Sequence, residues 1–310
     1  MMELVRGGCA QVQPLEVWNL DVGGKPIWRS LGAGAVESRL DSGELPSDVG
    51  RSIADVALRF AEKLRRGEFE SMDDTIEGYS KLYFCGGLTR VAGFRSGVDE
   101  STDRCWIMDA ARDVLAGGRQ VIREYSVLSG AAMVVDVGQT AIKTGVLDRG
   151  GTVKRVRRFE RPWSRLPVWL ASENRWRDSR QHPSGQSVQV ERLVEFVSRA
   201  VTEGLAKTVE PISTLVLALP CELGEKLEPG ACSYGDWTRV PDLVTRIAEA
   251  IEGLPSTPQV IALNDAELAG LAVLELLEGE GLQGEDALVL SLGFGPGAAY
   301  VDTGASNGDG

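Results

Sequence analysis

The sequence predicts an α/β fold with a mixed sheet, from the order of its apolar segments and from its length. Between residues 133 and 304 the apolar pattern runs as three strands, then helix, strand, helix, strand, helix and a final strand pair. Short apolar runs bounded by glycine or proline read as strands, and stripes repeating every three to four residues read as helices. Three antiparallel strands followed by alternating strand and helix units make a mixed sheet with helices on its faces. At 310 residues the chain is long enough for two domains or one large α/β unit.

Each element has its own signal. Residues 49–64, "VGRSIADVALRFAEKL", place Ile53, Val56, Ala57, Phe60 and Leu64 on one stripe of an amphipathic helix. "KLYFC" (81–85) is a short buried strand ending in Gly86-Gly87, and residues 104–124 read as a helix with Trp106, Ala110, Val114 and Val121 on one side. Strands are expected at 133–137, 142–148 and 152–159, and a helix at 190–206 carrying Leu193, Val194, Val197, Val201 and Leu205. A strand (213–220), a helix near 240–252, a strand (258–263) and a helix from Asp265 to about Leu277 follow. Strands at 286–293 and 297–304 close the series. The stretch 155–187, rich in Arg, Trp and Pro, reads as an ordered surface excursion, a dimer contact, or a lid over a substrate cleft.

Composition narrows the function. A formal charge of −12 and a pI near 4.8 argue against nucleic acid as the main partner, because neutralising phosphates needs a basic surface. The start lacks the apolar core of a signal peptide, and no run approaches the ~18 apolar residues of a membrane span, so a cytoplasmic protein without membrane contact is expected. The five cysteines, Cys9, Cys85, Cys105, Cys221 and Cys232, form no CxxC pair and read as reduced thiols. With His182 as the one histidine, a histidine-based zinc site or a Ser-His-Asp triad has almost nothing to work with.

Four stretches carry candidate chemistry. In "MVVDVGQTAIKTGVLD" (133–148), Gly138 lets backbone N–H groups approach a phosphate, Thr140 adds a hydroxyl, and Asp136 at the strand end suits Mg²⁺. "LVLSLGFGPGAAYVDTG" (288–304) is again strand, glycine-rich turn and strand, with Gly293, Gly295 and Gly297 alternating. In "IALNDAELAG" (261–270), Asp265 stands where a strand gives way to a helix. It reads either as a helix N-cap or as a general base, with Asn264 beside it on the same substrate. "LYFCGGLTRV" (82–91) opens into Gly86-Gly87, either a plain tight turn or a seat for adenosine. Each stretch alone is also compatible with a purely structural role.

Together these stretches resemble the nucleotide-binding signatures of the actin-like ATPase superfamily, most closely the ROK family of sugar kinases and repressors. "DVGQTAIKTGVLD" is similar to that family's first phosphate loop and "LSLGFGPGAAYVDTG" to its second. "LALPCELG", "YGDW" and "IALNDAELAG" resemble its sugar-binding run. In an ordinary member the first loop lies at the N-terminus, and a Glu-x-Gly-His segment and a Gly-Gly adenosine turn follow the second loop. Here the similar stretches, "ELVRGGCAQVQPLEVWNL" (3–20) and "KLYFCGGLTRV" (81–91), stand at the front, so the sequence resembles a circular permutant opened in the hairpin after the second loop. The resemblance leaves out mainly 158–187. It implies two ribonuclease-H-like domains around a central cleft. Residues 1–110 would form the first part of a large domain, 111–265 a small domain, and 266–310 the rest of the large one.

The resemblance also implies a function: ATP-dependent phosphorylation of a sugar or sugar-like hydroxyl, with Mg²⁺. Asp265 would be the general base, and Asn264, Glu16, Asn19, Pro220 and Trp237 would contact the substrate. Asp136 would hold Mg²⁺ through water. Gly138, Gln139, Thr140, Lys143, Gly293, Gly295 and Gly297 would cradle phosphates, and Gly86 and Gly87 would border adenosine. A homodimer is implied too. Several positions depart from the family pattern. Gln139 stands at its second glycine and Ala141 at a frequent lysine. Phe294 replaces a threonine, which removes a donor of the kind worth ~2.7–4 kcal/mol in a transition state. The cluster that holds the family's structural zinc is replaced by "IWRSLGAGAVES", so no such zinc is expected. These losses keep open a catalytically weakened sugar or nucleotide sensor, or another actin-like ATPase. No helix-turn-helix segment precedes the domain, which argues against a DNA-binding repressor.

Overall fold

The computed structural model describes residues 2–17, 20–69, 78–99, 104–109, 111–125, 130–138, 141–148, 150–160, 183–208, 210–232, 240–254, 258–282, 284–293 and 295–304. In chain order these form β1 (Glu3–Arg6), β2 (Val12–Leu15), α1 (Trp28–Leu31), α2 (Ala33–Asp41), α3 (Pro46–Arg65), β3 (Lys81–Cys85) and α4 (Phe94–Asp99). Then come β4 (Cys105–Ile107), α5 (Arg112–Ala116), α6 (Gly118–Tyr125), β5 (Ala131–Val137), β6 (Ala141–Leu147), β7 (Val153–Glu160) and α7 (Pro183–Leu205). The remainder is β8 (Ile212–Leu219), β9 (Cys221–Leu223), β10 (Pro229–Cys232), α8 (Leu243–Glu249), β11 (Gln259–Asn264), α9 (Asp265–Gly279), β12 (Ala287–Leu292) and β13 (Pro296–Val301). The fold is mixed α/β, as the sequence predicts.

Two compact units divide the chain: Met1–Gly8 with Leu115–Leu268, and Cys9–Val114 with Ala269–Gly310. The expected boundaries at 110/111 and 265/266 compare with crossings at 114/115 and, inside α9, at 268/269. The first eight residues, expected with the large domain, run with the first unit because β1 adds in parallel to β11.

The first unit holds a six-stranded sheet ordered β1-β11-β8-β5-β6-β7. Strands β5, β6 and β7 are antiparallel neighbours, while β8, β11 and β1 continue parallel to β5. Parallel central strands are covered on both faces and therefore read as unbroken apolar runs. β5 ("AAMVVDV") is buried throughout, Asp136 being its one polar residue. Met133, Val135, Leu217, Val197, Val201 and Ile247 share a core in which α7 and α8 cover one face.

The second unit holds a five-stranded sheet ordered β2-β13-β12-β3-β4. Here β12, β13 and β2 are antiparallel, and β3 and β4 run parallel to β12. The same pattern, an antiparallel trio beside parallel strands, thus occurs in both units. The apolar stripe of α3 drives its docking: Ile53, Ala57, Phe60 and Leu64 are buried with Leu82, Phe84, Leu288 and Leu290. Burying each of the Ile, Leu and Phe side chains among these stabilises by roughly 1.5–3 kcal/mol.

The segment 104–124, expected as one helix, is divided. Residues 105–107 form edge strand β4, and helix resumes only at Arg112 and Gly118. Trp106 lies opposite Tyr83 in register and stacks on it, centroids 5.3 Å apart, with Lys81 Nζ 4.8 Å from the indole centroid. That cross-strand contact outweighs a helical spacing that fitted only part of the segment. Among the described residues, no helix is long and apolar enough to cross a membrane.

Candidate active site at the carboxyl edge of the first sheet

Register brings the chemistry of the first unit to one edge. Asp136 of β5 is level with Ala218 of β8, and Ala218 with Leu263 of β11. Two residues past that row come Gly138, Pro220 and Asp265. Beside them, Arg6 of β1 is level with Ala262, so the chain leaves β1 into Gly7-Gly8 at this same edge. Carboxyl ends of parallel strands are where open α/β sheets place ligands, because the loops that leave there are free to vary.

Asp136 and Lys143 are directly opposed in the β5–β6 hairpin, and Lys143 Nζ donates to Asp136 Oδ2 at 2.6 Å with side chains 13% and 8% exposed. Gly138 follows at the mouth of the hairpin. A Cβ there would lie 2.7 Å from the Ala141 carbonyl oxygen, so the turn admits only glycine without displacement. Gln139 and Thr140 lie outside the described residues.

The start of α9 is built by Asn264 rather than by Asp265. Asn264 Oδ1 accepts from the Ala266 N–H at 2.8 Å, and Glu267 Oε2 accepts from the Asn264 N–H at 2.8 Å, a reciprocal capping box with Asn264 as N-cap. Asn264 Nδ2 also donates to the Cys221 carbonyl at 2.8 Å, so the amide expected to contact substrate is engaged with backbone at both ends. Glu267, buried, accepts two hydrogen bonds of 2.8 Å from Arg6 Nη2, while Arg6 Nε donates to the Leu223 carbonyl at 3.0 Å. Three elements distant in sequence thereby hold Asp265 as the first helical residue.

Burial pushes the Asp265 carboxyl up to about 7, and the negative charge of Asp136 pushes the same way. Lys143 and the N–H groups of Ala266 and Asp265 oppose the rise. A carboxyl poised there exchanges a proton near neutral pH, which is what general-base chemistry requires.

In the second unit two glycine turns adjoin. Ser291 of β12 is level with Cys85 of β3, so Leu292-Gly293 and Gly86-Gly87 leave the sheet side by side. Gly86 has φ +101°, and a Cβ on it would lie 2.3 Å from the Leu292 carbonyl oxygen. Thr89 Oγ1 donates to the Gly86 carbonyl at 2.9 Å and fixes the turn, while a Cβ on Gly87 would meet open space. Gly293 and Gly295 flank the turn from β12 to β13, and Gly297 pairs with Ser291 inside the ladder, which places it in strand rather than loop. Glu16 is exposed just after β2. Asn19, Trp237, Phe294 and residues 161–182 of the Arg/Trp-rich stretch lie outside the described residues.

Arg6 and Glu267 escaped the sequence reading. Their one signal was the N-x-x-E spacing at 264–267, a capping-box pattern. The chain matches no protein-family model and no curated protein.

Proposed function

We propose that the chain transfers the terminal phosphoryl group of ATP to a hydroxyl of a small sugar-like molecule. The observation that carries the reading is the charge cluster of Asp265, Asp136 and Lys143 at the carboxyl edge of the first sheet, beside the Gly138 turn. As the acceptor oxygen forms its bond to phosphorus, its proton passes to the Asp265 carboxylate. The bond from phosphorus to the bridging oxygen breaks, and ADP leaves. Backbone N–H groups of the turn at Gly138 hold phosphate.

The hard carboxylate oxygens of Asp136 fit Mg²⁺, which characteristically takes one or two carboxylates and fills its remaining positions with phosphate and water. When bound, Mg²⁺ supplies charge neutralisation on the phosphates. Two further features support the fold expected of such an enzyme. Each sheet carries an antiparallel trio extended by parallel strands, a pattern compatible with a ribonuclease-H-like domain. The last strand, β13, pairs antiparallel with β2 near the front of the chain, and the Asp302 N–H donates to the Gln11 carbonyl at 2.9 Å, as a permuted order requires.

A coupled ADP-release assay over a panel of sugars and polyols, with Asp265→Asn as control, tests the proposal. Turnover stimulated by at least one sugar and lost in the variant supports it. If no sugar raises turnover above the variant's level, the kinase reading fails. The Lys143–Asp136 ion pair favours a second reading, a binder of nucleotide or sugar with slow turnover, because the lysine engages one oxygen of the carboxylate that would hold the metal and so competes with it. That reading predicts saturable ATP binding without sugar-dependent ADP release.

A further inference from the structure

On the opposite face of the first sheet lies a cavity of about 260 Å³ lined by Met133, Thr144, Val146, Val156, Gly204 and three cations, Arg155, Arg157 and Lys207. Side chains alternate along β6, so Lys143 turns to Asp136 while its neighbour Thr144 faces α7. Among the described residues Arg155, Arg157 and Lys207 form no ion pair, in a protein whose net charge is −12. Three cationic residues lining one concavity of an acidic molecule raise the local concentration of anions there.

Two features show that the site is built. Thr144 is only 1% exposed, lines the cavity, and makes no hydrogen bond through its hydroxyl among the described residues. That hydroxyl is available to an occupant of the cavity. Arg155 has φ +54°, a conformation rare outside glycine. It stands in a β-bulge, where Thr144 pairs with Arg157 and Val146 with Lys154, leaving one extra residue on β7. Bulges re-aim side chains next to sites, and this one sets Arg155 at the cavity wall, with its guanidinium donating to the Lys207 carbonyl.

We propose that this cavity binds a small organic phosphate, its dianion held by Arg157, Lys207 and Arg155, its oxygen accepting from the Thr144 hydroxyl, and its carbon skeleton lying on Met133, Val146 and Val156. Charge-assisted bonds from guanidinium and ammonium to phosphate are among the strongest a surface cavity offers. The site is separate from the Asp265 cluster and does not depend on the kinase reading.

The test uses the full chain with ¹³C-methyl methionine, titrated in phosphate-free buffer with glycerol 3-phosphate and, separately, inorganic phosphate. The Met133 methyl is the reporter and Met108, buried in the second unit, the control. A saturable shift of Met133 with Met108 stationary is expected. Weakening of about tenfold is expected in Arg157→Gln/Lys207→Gln, and about threefold in Thr144→Val, which keeps the shape of the side chain. The response should persist in Asp265→Asn. Tighter binding of glycerol 3-phosphate than of phosphate assigns the organic ligand, and equal binding assigns the site to free phosphate. A motionless Met133, or a response unchanged when the two charges are removed, overturns the proposal.

Discussion

Asp265 is the residue on which the proposed chemistry turns. A carboxylate in the first turn of a helix is ordinarily favoured in its charged form, because the helix N-terminus is partially positive. Here burial and Asp136 outweigh that preference and bring it up to about 7. Asp265→Asn should lower sugar-dependent turnover by a factor on the order of 10²–10⁴, the range for losing a positioned general base. In the wild type, kcat/KM should fall as pH drops through about 7, since the base must be ionised. Lys143→Met should move that limb to higher pH, because it removes the charge that favours ionised Asp265; pH–rate profiles of both proteins check the order. Stability follows the same group with opposite consequence. Its folded pKa of about 7 exceeds its ordinary 3.8, so the folded state binds more protons between these values. Stability should therefore decline as pH rises from about 4 to about 7. Urea midpoints at pH 5 and pH 8 should differ less in Asp265→Asn than in the wild type.

At the scale of elements, the first turn of α9 and the end of β3 are the critical joints. Glu267→Gln removes the carboxylate charge and one of the two acceptors that face Arg6, while its amide oxygen can still accept from the Asn264 N–H. With Arg6 24% exposed, the loss should be about 1–3 kcal/mol in urea unfolding. Gly86→Ala forces a side chain against the Leu292 carbonyl and out of φ +101°, and should lower the thermal midpoint far more than Gly87→Ala, which meets open space. Much of this architecture was legible. β5, β8, β11 and β12 are buried apolar runs closed by punctuation, and the stripe of α3 from Ile53 to Leu64 is strongly periodic. The short edges were not. β2 contains Pro14, tolerated because the strand borders its sheet, and β1 is four residues that become a strand only beside β11. Asp136 and Asp265 were legible because they end predicted strands. The Arg6–Glu267 pair was not, since 261 residues separate its members and only the register of β1 on β11 brings them together.

For the molecule as a whole, the order of strands in space departs from their order in sequence. β13 is followed across the second sheet by β2, joined by antiparallel hydrogen bonds rather than by chain. If element order reflects a permuted connection, linking residue 310 to residue 1 by a glycine–serine segment and opening the chain before Gly130 should give a protein with unchanged far-UV circular dichroism and retained sugar-dependent ADP release. An insoluble or inactive permutant would count against that order. The central claim, phosphoryl transfer from ATP to a sugar-like hydroxyl through Asp265, is tested most directly by ³¹P NMR of the reaction mixture. The account expects a phosphomonoester resonance to grow in step with ADP in the presence of an accepted sugar and to be absent with Asp265→Asn. Accumulation of inorganic phosphate alone, or an equal phosphomonoester signal from the variant, would contradict it.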